Sequence, residues 1–318
     1  MTPVFRDIPA CECNNFAMHI FRRYFCFVLA FCSGLWLPAH AEPLSVVDDV
    51  GRTVTLEKPA ARIISLSPHI TELVFAAGAG DRLVGAVEYS DYPEAAKSVE
   101  RIGNHSSIDL ERISVLNPDL IIAWDSGNPK AAIAKLKQLG YPLFLSEPES
   151  LNDIATTMQR FSVLANTEVV ATPVIKEFED RLAAIKDKYR TNATVSVFYE
   201  IWYQPLMTVN GSHIINEVIE ICGGSNVFAR LSALAPTISL ESILAANPQV
   251  IIGGSNIDDK LFAWTRWSRL DAVRYNNIFH VDWDHINRHS PRILDAVVEV
   301  CDAFKTAREN MRKADLPK

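Results

Sequence analysis

Two stretches of the chain, 130 residues apart, share one order of apolar and polar positions. They are Ile108–Trp124 (IDLERISVLNPDLIIAW) and Ile238–Gly254 (ISLESILAANPQVIIGG). In each, apolar residues recur at helical spacing after Asp109 or Ser239, whose side-chain oxygen can cap the first turn. Asn-Pro follows, and proline cannot continue the helical hydrogen-bond ladder. The short apolar run that comes next predicts a strand buried on both faces.

A second pair of similar segments precedes the first pair. Arg62–Gly80 and Ser196–Gly224 both have the order strand, loop, helix and glycine. Two repeated pairs in the same order predict an α/β fold made of two similarly built lobes, each with a mostly parallel sheet.

Two helices are predicted between the lobes. Residues 150–165 begin with the cap-forming Ser-Leu-Asn-Asp, and residues 168–190 form a longer helical pattern with Pro173 near its start. Proline is tolerated there only if the helix begins nearby or kinks. We therefore expect an N-terminal lobe at 42–149, connecting helices at 150–193 and a C-terminal lobe at 194–318. One long helix joins the lobes as a stiff backbone, which predicts a shallow cleft with small domain motion.

The first 41 residues have the features of a secretory signal peptide. Two arginines precede a 15-residue apolar run, and the run ends before Ala39-His40-Ala41, a small-x-small cleavage pattern. The run is short for a membrane span. Translation from Met1 and translation from Met18 both remain open. We expect a soluble exported protein, because Phe31 before Cys32 is too large for a lipoprotein signal.

Cysteine usage fits an oxidising compartment. Four of the six cysteines lie in the leader, which leaves Cys222 and Cys301. Two cysteines in an exported protein predict one structural disulfide, and the alternative is two separately buried thiols.

Charge and motifs exclude some functions. The net formal charge is −7, and nucleic-acid binding needs a basic surface instead. Gly78-Ala79-Gly80 follows a helix and does not complete a dinucleotide-binding motif, and no nucleophile elbow is present. An exported hydrolase built from the Ser, His and Asp of SPH (67–69) and DWDH (282–285) remains an alternative without a nucleophile signature.

Aromatic and polar side chains occur where predicted strands end. Tyr89, His105, Trp124 and Trp202 all have this position. In open α/β sheets, ligands bind outside the carboxyl ends of the strands. We therefore expect this set to line the crevice between the lobes.

The segment His280–Ile293 (HVDWDHINRHSPRI) is polar and rich in aromatic residues. His285 and His289 lie four residues apart beside two aspartates, as in a metal-ligand cluster. Pro291, however, predicts a loop, in which this spacing brings no side chains to a common face. A loop lining the cleft is therefore favoured over a metal site.

Glu111 and Glu241 occupy matched positions in the two repeated helices. A carboxylate in a first helical turn offsets the helix macrodipole, which alone explains both. Matched carboxylates on two lobes also suit a symmetric partner.

The chain resembles the helical-backbone periplasmic binding proteins of the cluster A type, and in particular the branch that binds vitamin B12. The resemblance extends over nearly all of the chain after the leader. It rests on the segments RIISLSPHITELVFAAG, YSDYP, LERISVLNPDLIIAW, EVIEICGGSNVF and SPRIL.

The resemblance implies a monomeric periplasmic receptor that performs no chemistry and has no cofactor of its own. It implies cobalamin or a related corrinoid as the ligand, with haem, a ferric siderophore or another metal chelate as the alternative. Its partner would be an inner-membrane ABC permease dimer with its ATPase subunits, whose arginines would meet Glu111 and Glu241. Cys222 and Cys301 match the disulfide pair of the family.

The resemblance also implies a ligand site. Five residues match positions around the corrinoid: Tyr89, Trp124, Asp282, Trp283 and Arg288.

The predicted ligand site departs from the family at three aromatic positions. His105 and Ala235 stand where the family has tryptophan, and Met207 stands where it has phenylalanine. Met207 can still pack against a ligand, and Trp202 can compensate for a lost ring. His105 would either ligate the metal of a bound cofactor or donate a hydrogen bond.

Overall fold

Two parallel four-stranded sheets organise the chain. The computed structural model describes residues 42–104, 106–190, 193–254 and 262–314, so the predicted leader and His105 lie outside the described residues. The residues from Pro43 to Lys318 form one unit, within which both sheets pack.

The first lobe contains the sheet with strand order β4-β3-β7-β8 and two short antiparallel pairs, β1 with β2 and β5 with β6. Its strands are β1 Leu44–Val47, β2 Thr53–Leu56, β3 Ile63–Ser65, β4 Leu83–Ala86, β5 Gly103–Asn104, β6 Ser107–Ile108, β7 Leu120–Trp124 and β8 Leu143–Ser146. Its helices are α1 Pro68–Ala76, α2 Leu110–Leu116 and α3 Lys130–Gln138.

The apolar run predicted as a doubly buried strand is β7. Leu120 and Ile122 belong to one core cluster, and Ile121 and Ala123 belong to another. Successive side chains of a strand point to opposite faces, so β7 has a hydrophobic core on each side. The parallel neighbours β3 and β8 fix it in the middle of the sheet.

The two predicted connecting helices are α4, Leu151–Ala165, and α5, Glu168–Lys188. Ser150 and Asp153 form a reciprocal capping box at the start of α4. The 21 residues of α5 span roughly 32 Å, and the helix begins five residues before Pro173.

The second lobe contains the sheet with strand order β12-β9-β13-β14, all parallel, and the antiparallel pair β10 with β11. Its strands are β9 Val195–Glu200, β10 Trp202–Tyr203, β11 Leu206–Met207, β12 Gly224–Asn226, β13 Val250–Gly254 and β14 Ile278–Val281. Its helices are α6 Ile214–Ile221, α7 Leu240–Ala246, α8 Asp271–Arg274, α9 Trp283–Ile286 and α10 Ile293–Ala314.

The two copies of the repeated segment have matching helix caps. At the start of α2, Asp109 accepts a hydrogen bond from a backbone N–H, and Ser239 does the same at the start of α7. Asn117 and Asn247 end the two helices in the left-handed region, with φ of 44° and 42°. Asparagine tolerates this conformation better than most side chains do. The prediction of two similarly built α/β lobes is confirmed.

The segment before the last helix differs in part from the prediction. Residues Trp283–Ile286 form one helical turn, so the prediction of a simple loop over 280–293 was wrong there. Asp282 explains the difference, because its carboxylate caps that turn and the cap outweighs the effect of Pro291 downstream.

A disulfide joins Cys222, at the end of α6, to Cys301 in α10. The predicted bridge is therefore confirmed, and the alternative of two separate thiols was wrong. Among the described helices, none is both long and apolar enough to cross a membrane.

Candidate functional site

The two lobes meet at the carboxyl ends of their parallel strands. His69 and Trp124 follow or end strands of the first lobe, and Trp283 and His289 follow β14 in the second. The rings of His69 and His289 lie 5.7 Å apart between centroids, so the two sets of strand ends face one another. We call the space that they border the interlobe cleft.

Trp124 has a fixed orientation on the first-lobe side of the cleft. A Cβ placed on Gly127 would lie 1.9 Å from Cε3 of its ring, so only glycine allows this packing. The ring also contacts His69 edge to face, with centroids 5.3 Å apart. Its backbone N–H donates to Asn128 Oδ1 over 2.7 Å. A half-buried, locked indole is suited to covering an apolar ligand surface.

Three predicted site residues lie together on the second-lobe side. Trp202 and Trp283 have ring centroids 6.3 Å apart, and Met207 pairs with Trp202 across the β10–β11 hairpin. Trp283 packs closely on Gly254, where a Cβ would be 2.4 Å from Cε3 of the ring. Trp202 is about half exposed and its Nε1 donates to Gln204 O. These side chains form an aromatic and thioether rim.

Tyr89 lies on the loop after β4 and is 72% exposed. Its φ is 64°, in the left-handed region that bulky residues rarely adopt. Such strain persists only when the surrounding structure enforces it, and it is common at ligand-binding positions. The exposed ring makes Tyr89 a candidate ligand contact of the first lobe.

Asp282 acts locally as a helix cap. Its Oδ1 accepts hydrogen bonds from the backbone N–H groups of Asp284 and His285, over 2.8 and 3.1 Å. Residue Asp282 is exposed. Contact of Asp282 with a ligand therefore remains a prediction.

Arg288 is buried, with 8% of its surface exposed. Its guanidinium contacts Glu72 Oε1 at 3.0 Å, Asp91 Oδ1 at 2.7 Å and Asp284 Oδ1 at 2.9 Å. Burial alone would raise the pKa of Asp91, but the hydrogen bond and charge of Arg288 lower it below its usual value. The predicted contact of Arg288 with a ligand remains untested, and its charge is already neutralised.

Glu72 is the centre of an interlobe ion cluster that sequence reasoning missed. It lies in α1 of the first lobe, and all of its partners belong to the second lobe. Its carboxylate accepts from Ser290 Oγ at 2.6 Å, from Arg292 Nη2 at 2.5 Å and from Arg288 Nη1 at 3.0 Å. A charged residue inside the apolar stretch HITELVF was the available signal, because buried carboxylates need cationic partners.

Three histidines converge on the cleft floor: His69 in the first turn of α1, His213 at the N-cap of α6, and His289 in the segment before α10. His289 contacts both others, with ring centroids 5.7 and 5.5 Å apart. Burial, and secondly the charge of Arg288, lowers the pKa of His69 to about 3. Burial lowers the pKa of His213 to about 4, and burial and the neighbouring histidines hold that of His289 well below 6.5. All three are neutral at physiological pH.

His285 and His289, the two histidines of the alternative metal site, have different neighbours in the structure. His285 Nδ1 contacts Glu299 Oε1 at 3.0 Å, whereas His289 packs among the other two histidines. Within the described ranges, no group of three or more His, Cys, Asp or Glu side chains could hold a metal ion.

Ser67 and His69 are hydrogen bonded, with Oγ and Nδ1 2.7 Å apart, as the hydrolase alternative would require. However, both residues are buried, and His69 Nε2 has no hydrogen-bond partner. A substrate carbonyl could not reach Ser67 Oγ in this arrangement. The geometry therefore gives the hydrolase reading no support.

Glu111 and Glu241 are both exposed, each at the second residue of its repeated helix. A hydrogen bond from its own backbone N–H, and then one from Ser239, lowers the pKa of Glu241. Both carboxylates are exposed, and their contact with a partner remains a prediction.

This chain is similar to known proteins in both sequence and fold. The profile of the family described as "Periplasmic binding protein" matches residues 63–284. The vitamin B12-binding protein of Vibrio campbellii is 40% identical over 252 residues, which are 79% of this chain and 92% of that protein. The vitamin B12-binding protein of Vibrio parahaemolyticus is 37% identical over 275 residues, or 86% of this chain and 97% of that protein.

Solved structures agree with the fold. The crystal structure of the periplasmic vitamin B12 binding protein BtuF of Vibrio cholerae superposes with a TM-score of 0.75 at 39% identity, over 79% of this chain and 99% of that one. The periplasmic heme-binding protein RhuT from Roseiflexus sp. RS-1 superposes with a TM-score of 0.69 at 23% identity, over 78% and 99%. The second match concerns the fold alone.

Proposed function

The chain belongs to the periplasmic binding protein family, and from this premise we propose that it binds cobalamin or a related corrinoid in the interlobe cleft and delivers it to an ABC importer. A solute-binding role follows from the family itself. The proposal assigns the lobes to residues 42–149 and 194–318, with 150–193 connecting them, and assigns no catalysis and no cofactor of its own.

The choice of a corrinoid as the ligand rests on one observation. The relatives that are named vitamin B12-binding proteins match most of this chain at 37–40% identity, and the B12-binding structure from Vibrio cholerae shares its fold.

The electrostatics of the cleft floor support a neutral ligand. Arg288 is saturated by carboxylates, and burial keeps His69 and His213 uncharged. A corrin presents neutral amides at its edge, whereas haem propionates and siderophore carboxylates would need an available cation. Haem, a ferric siderophore or another metal chelate is therefore the less favoured cargo.

Aromatic surfaces support the binding mode. Tyr89 and Trp124 of the first lobe and Trp202, Met207 and Trp283 of the second would cover the apolar surface of the macrocycle. Flat aromatic contacts bury large areas at little cost in conformational entropy.

The partner would be an inner-membrane permease dimer with its ATPase subunits. The exposed pair Glu111 and Glu241 lies on the two similarly built lobes, which suits a two-fold symmetric surface bearing positive charge. The receptor would work as a monomer in the periplasm, after removal of residues 1–41.

Calorimetric titration of residues 42–318 with cyanocobalamin, cobinamide and haemin tests the ligand. We expect one-to-one binding of cyanocobalamin that is much tighter than any heat seen with haemin. Binding of haemin with no response to either corrinoid would overturn the corrinoid assignment and leave the solute-binding role. Binding of cobinamide alone would show that the lower nucleotide of the vitamin is not accommodated.

A further inference from the structure

A second cavity lies where the two lobes meet the long helix α5. Its volume is about 440 Å³, which lies within the range of small-ligand pockets. It shares no lining residue with the aromatic rims of the interlobe cleft. We call it the hinge cavity. Its walls are Glu72, Phe75 and Ala76 of α1, Tyr92 and Pro93, Val174, Glu177, Phe178 and Arg181 of α5, and Pro291, Arg292, Leu294 and Asp295.

Part of the lining of the hinge cavity is apolar. Phe75, Val174, Phe178 and Leu294 come from three different helices, and together they offer a surface for an aliphatic or aromatic group. Burial of such a group removes apolar surface from water and therefore stabilises a complex. A purely polar solute would leave these side chains without contacts.

The charged part of the lining has an unbalanced negative charge. Arg181 Nη2 pairs with Asp295 Oδ1 at 2.6 Å, and Arg292 Nη2 pairs with Glu72 Oε1 at 2.5 Å. Arg292 also lies 4.0 Å from the centroid of the Tyr92 ring. These contacts satisfy both cations of the lining.

Glu177 is the remaining carboxylate of the lining, and its side chain is exposed at the rim. In the part of the chain that the structure describes, the carboxylate of Glu177 makes no ion pair or hydrogen bond. An apolar wall beside an unpaired carboxylate matches a molecule with an apolar body and a positively charged end.

We propose that the hinge cavity is a second binding site, which takes a small organic ammonium ion. The apolar body would lie against Phe75 and Phe178, and the ammonium group would donate to Glu177. Because the walls come from both lobes and from α5, an occupant would stabilise the lobe arrangement described above. Binding at this site is independent of the identity of the cleft ligand.

The probes are 2-phenylethylammonium, its neutral analogue 2-phenylethanol and the anion phenylacetate, titrated into residues 42–318. Binding is followed by chemical-shift perturbation and by the thermal unfolding midpoint. We expect saturable one-to-one binding of the ammonium ion, weaker binding of the alcohol and none of phenylacetate. Glu177→Gln should weaken ammonium binding about fivefold, as expected for a solvent-exposed ion pair.

Two further variants distinguish binding in the hinge cavity from a general effect on the protein. Glu179→Gln removes an exposed carboxylate of the same helix that does not line the cavity, and it should leave the affinity unchanged. Val174→Trp should fill the cavity and abolish binding. Saturating cyanocobalamin should leave ammonium binding unchanged, because the two sites share no residues.

Equal affinity for the ammonium ion and the alcohol, or no change with Glu177→Gln, would overturn the assigned ligand class. Absence of saturable binding by all three probes, or competition by cyanocobalamin, would overturn the site itself. Failure of both cyanocobalamin and cobinamide to bind would contradict the proposed function and leave the hinge cavity proposal intact.

Discussion

Glu72 Oε1 and Arg288 Nη1 lie 3.0 Å apart, and this contact ties α1 of the first lobe to the segment that precedes α10 of the second. Both side chains are nearly buried. The same carboxylate also accepts from Ser290 and Arg292, so one acidic residue satisfies three donors of the other lobe. The ion cluster fixes how the lobes face each other beside the cleft.

Replacement of Glu72 should destabilise the protein strongly. Glu72→Gln keeps the shape of the side chain but removes the charge that compensates the buried guanidinium of Arg288 and the partly buried one of Arg292. We expect the free energy of unfolding to fall by about 3 kcal/mol, measured by urea denaturation. Glu179→Gln, on the exposed face of α5, should change it by less than about 0.5 kcal/mol. A similar small change in both variants would show that the cluster does not stabilise the fold.

Glu200 should make stability depend on pH in the neutral range. It is fully buried, and burial raises its pKa to about 7, although the hydrogen bond from Trp264 Nε1 opposes the shift. A raised pKa means that the folded state holds the proton more tightly than the unfolded state. Its contribution to stability is therefore complete below about pH 4.5 and is lost as the pH rises through about 7.

Glu200→Gln imitates the protonated carboxyl and can still accept from Trp264. Between pH 5.5 and pH 8, the wild type should lose about 2 kcal/mol relative to this variant, measured by urea denaturation at each pH. The exposed Glu57→Gln serves as the matched control and should follow the wild type. Parallel pH profiles of wild type and Glu200→Gln would contradict the raised pKa.

The histidine cluster should have the opposite effect at acidic pH. Burial holds the pKa of His69 near 3 and that of His213 near 4, against about 6.5 in the unfolded chain. The unfolded state then binds more protons below pH 6.5, so stability is lost as the pH falls through that range. His289→Phe keeps a ring between the other two and removes one titrating group. Its thermal midpoint should fall less than that of the wild type between pH 7 and pH 4.5, and an unchanged slope would argue against the cluster.

Removal of the cleft tryptophans should weaken ligand binding without unfolding the protein. Trp283→Ala removes the ring that packs on Gly254 and contacts Trp202. We expect an affinity loss of tenfold or more for cyanocobalamin, measured by calorimetry, because a buried aromatic contact is worth about 1.5–3 kcal/mol. Tyr275→Ala is the control, since this partly buried tyrosine ends α8 and lies before the amino end of β14. An equal loss in both variants would point to a general defect.

Charge reversal of the exposed glutamate pair should separate transport from binding. Glu111→Lys and Glu241→Lys together should leave the affinity for cyanocobalamin unchanged, because neither residue is among the predicted ligand contacts. Uptake of the vitamin and stimulation of the importer ATPase should both be lost, since the variant would present like charge to the permease. Glu179→Lys, which adds the same charge on α5, should retain transport. Normal uptake by the double variant would contradict the proposed docking surface.

The sequence by itself determined the local units of this fold. The caps Asp109 and Ser239 act within one helical turn, so they could be recognised without the structure, and the Asn-Pro pairs showed where the two helices end. The doubly buried β7 and the repeated order of elements followed from hydrophobic period alone. Because sites in such folds lie at strand ends, Trp124 and Trp202 could also be predicted as ligand contacts, whereas Trp283 was predicted from the family resemblance.

Only the tertiary structure decided which distant polar groups meet. Glu72 and Arg288 are 216 positions apart in the chain, and His69 meets His289 in the same way. No local period or cap encodes such pairs, because they form only when α1 and the segment before α10 pack together. Arg288, expected to face a ligand, is instead neutralised by carboxylates. The hinge cavity likewise arises from three helices that are separate in sequence, so its shape and charge exist only in the folded chain.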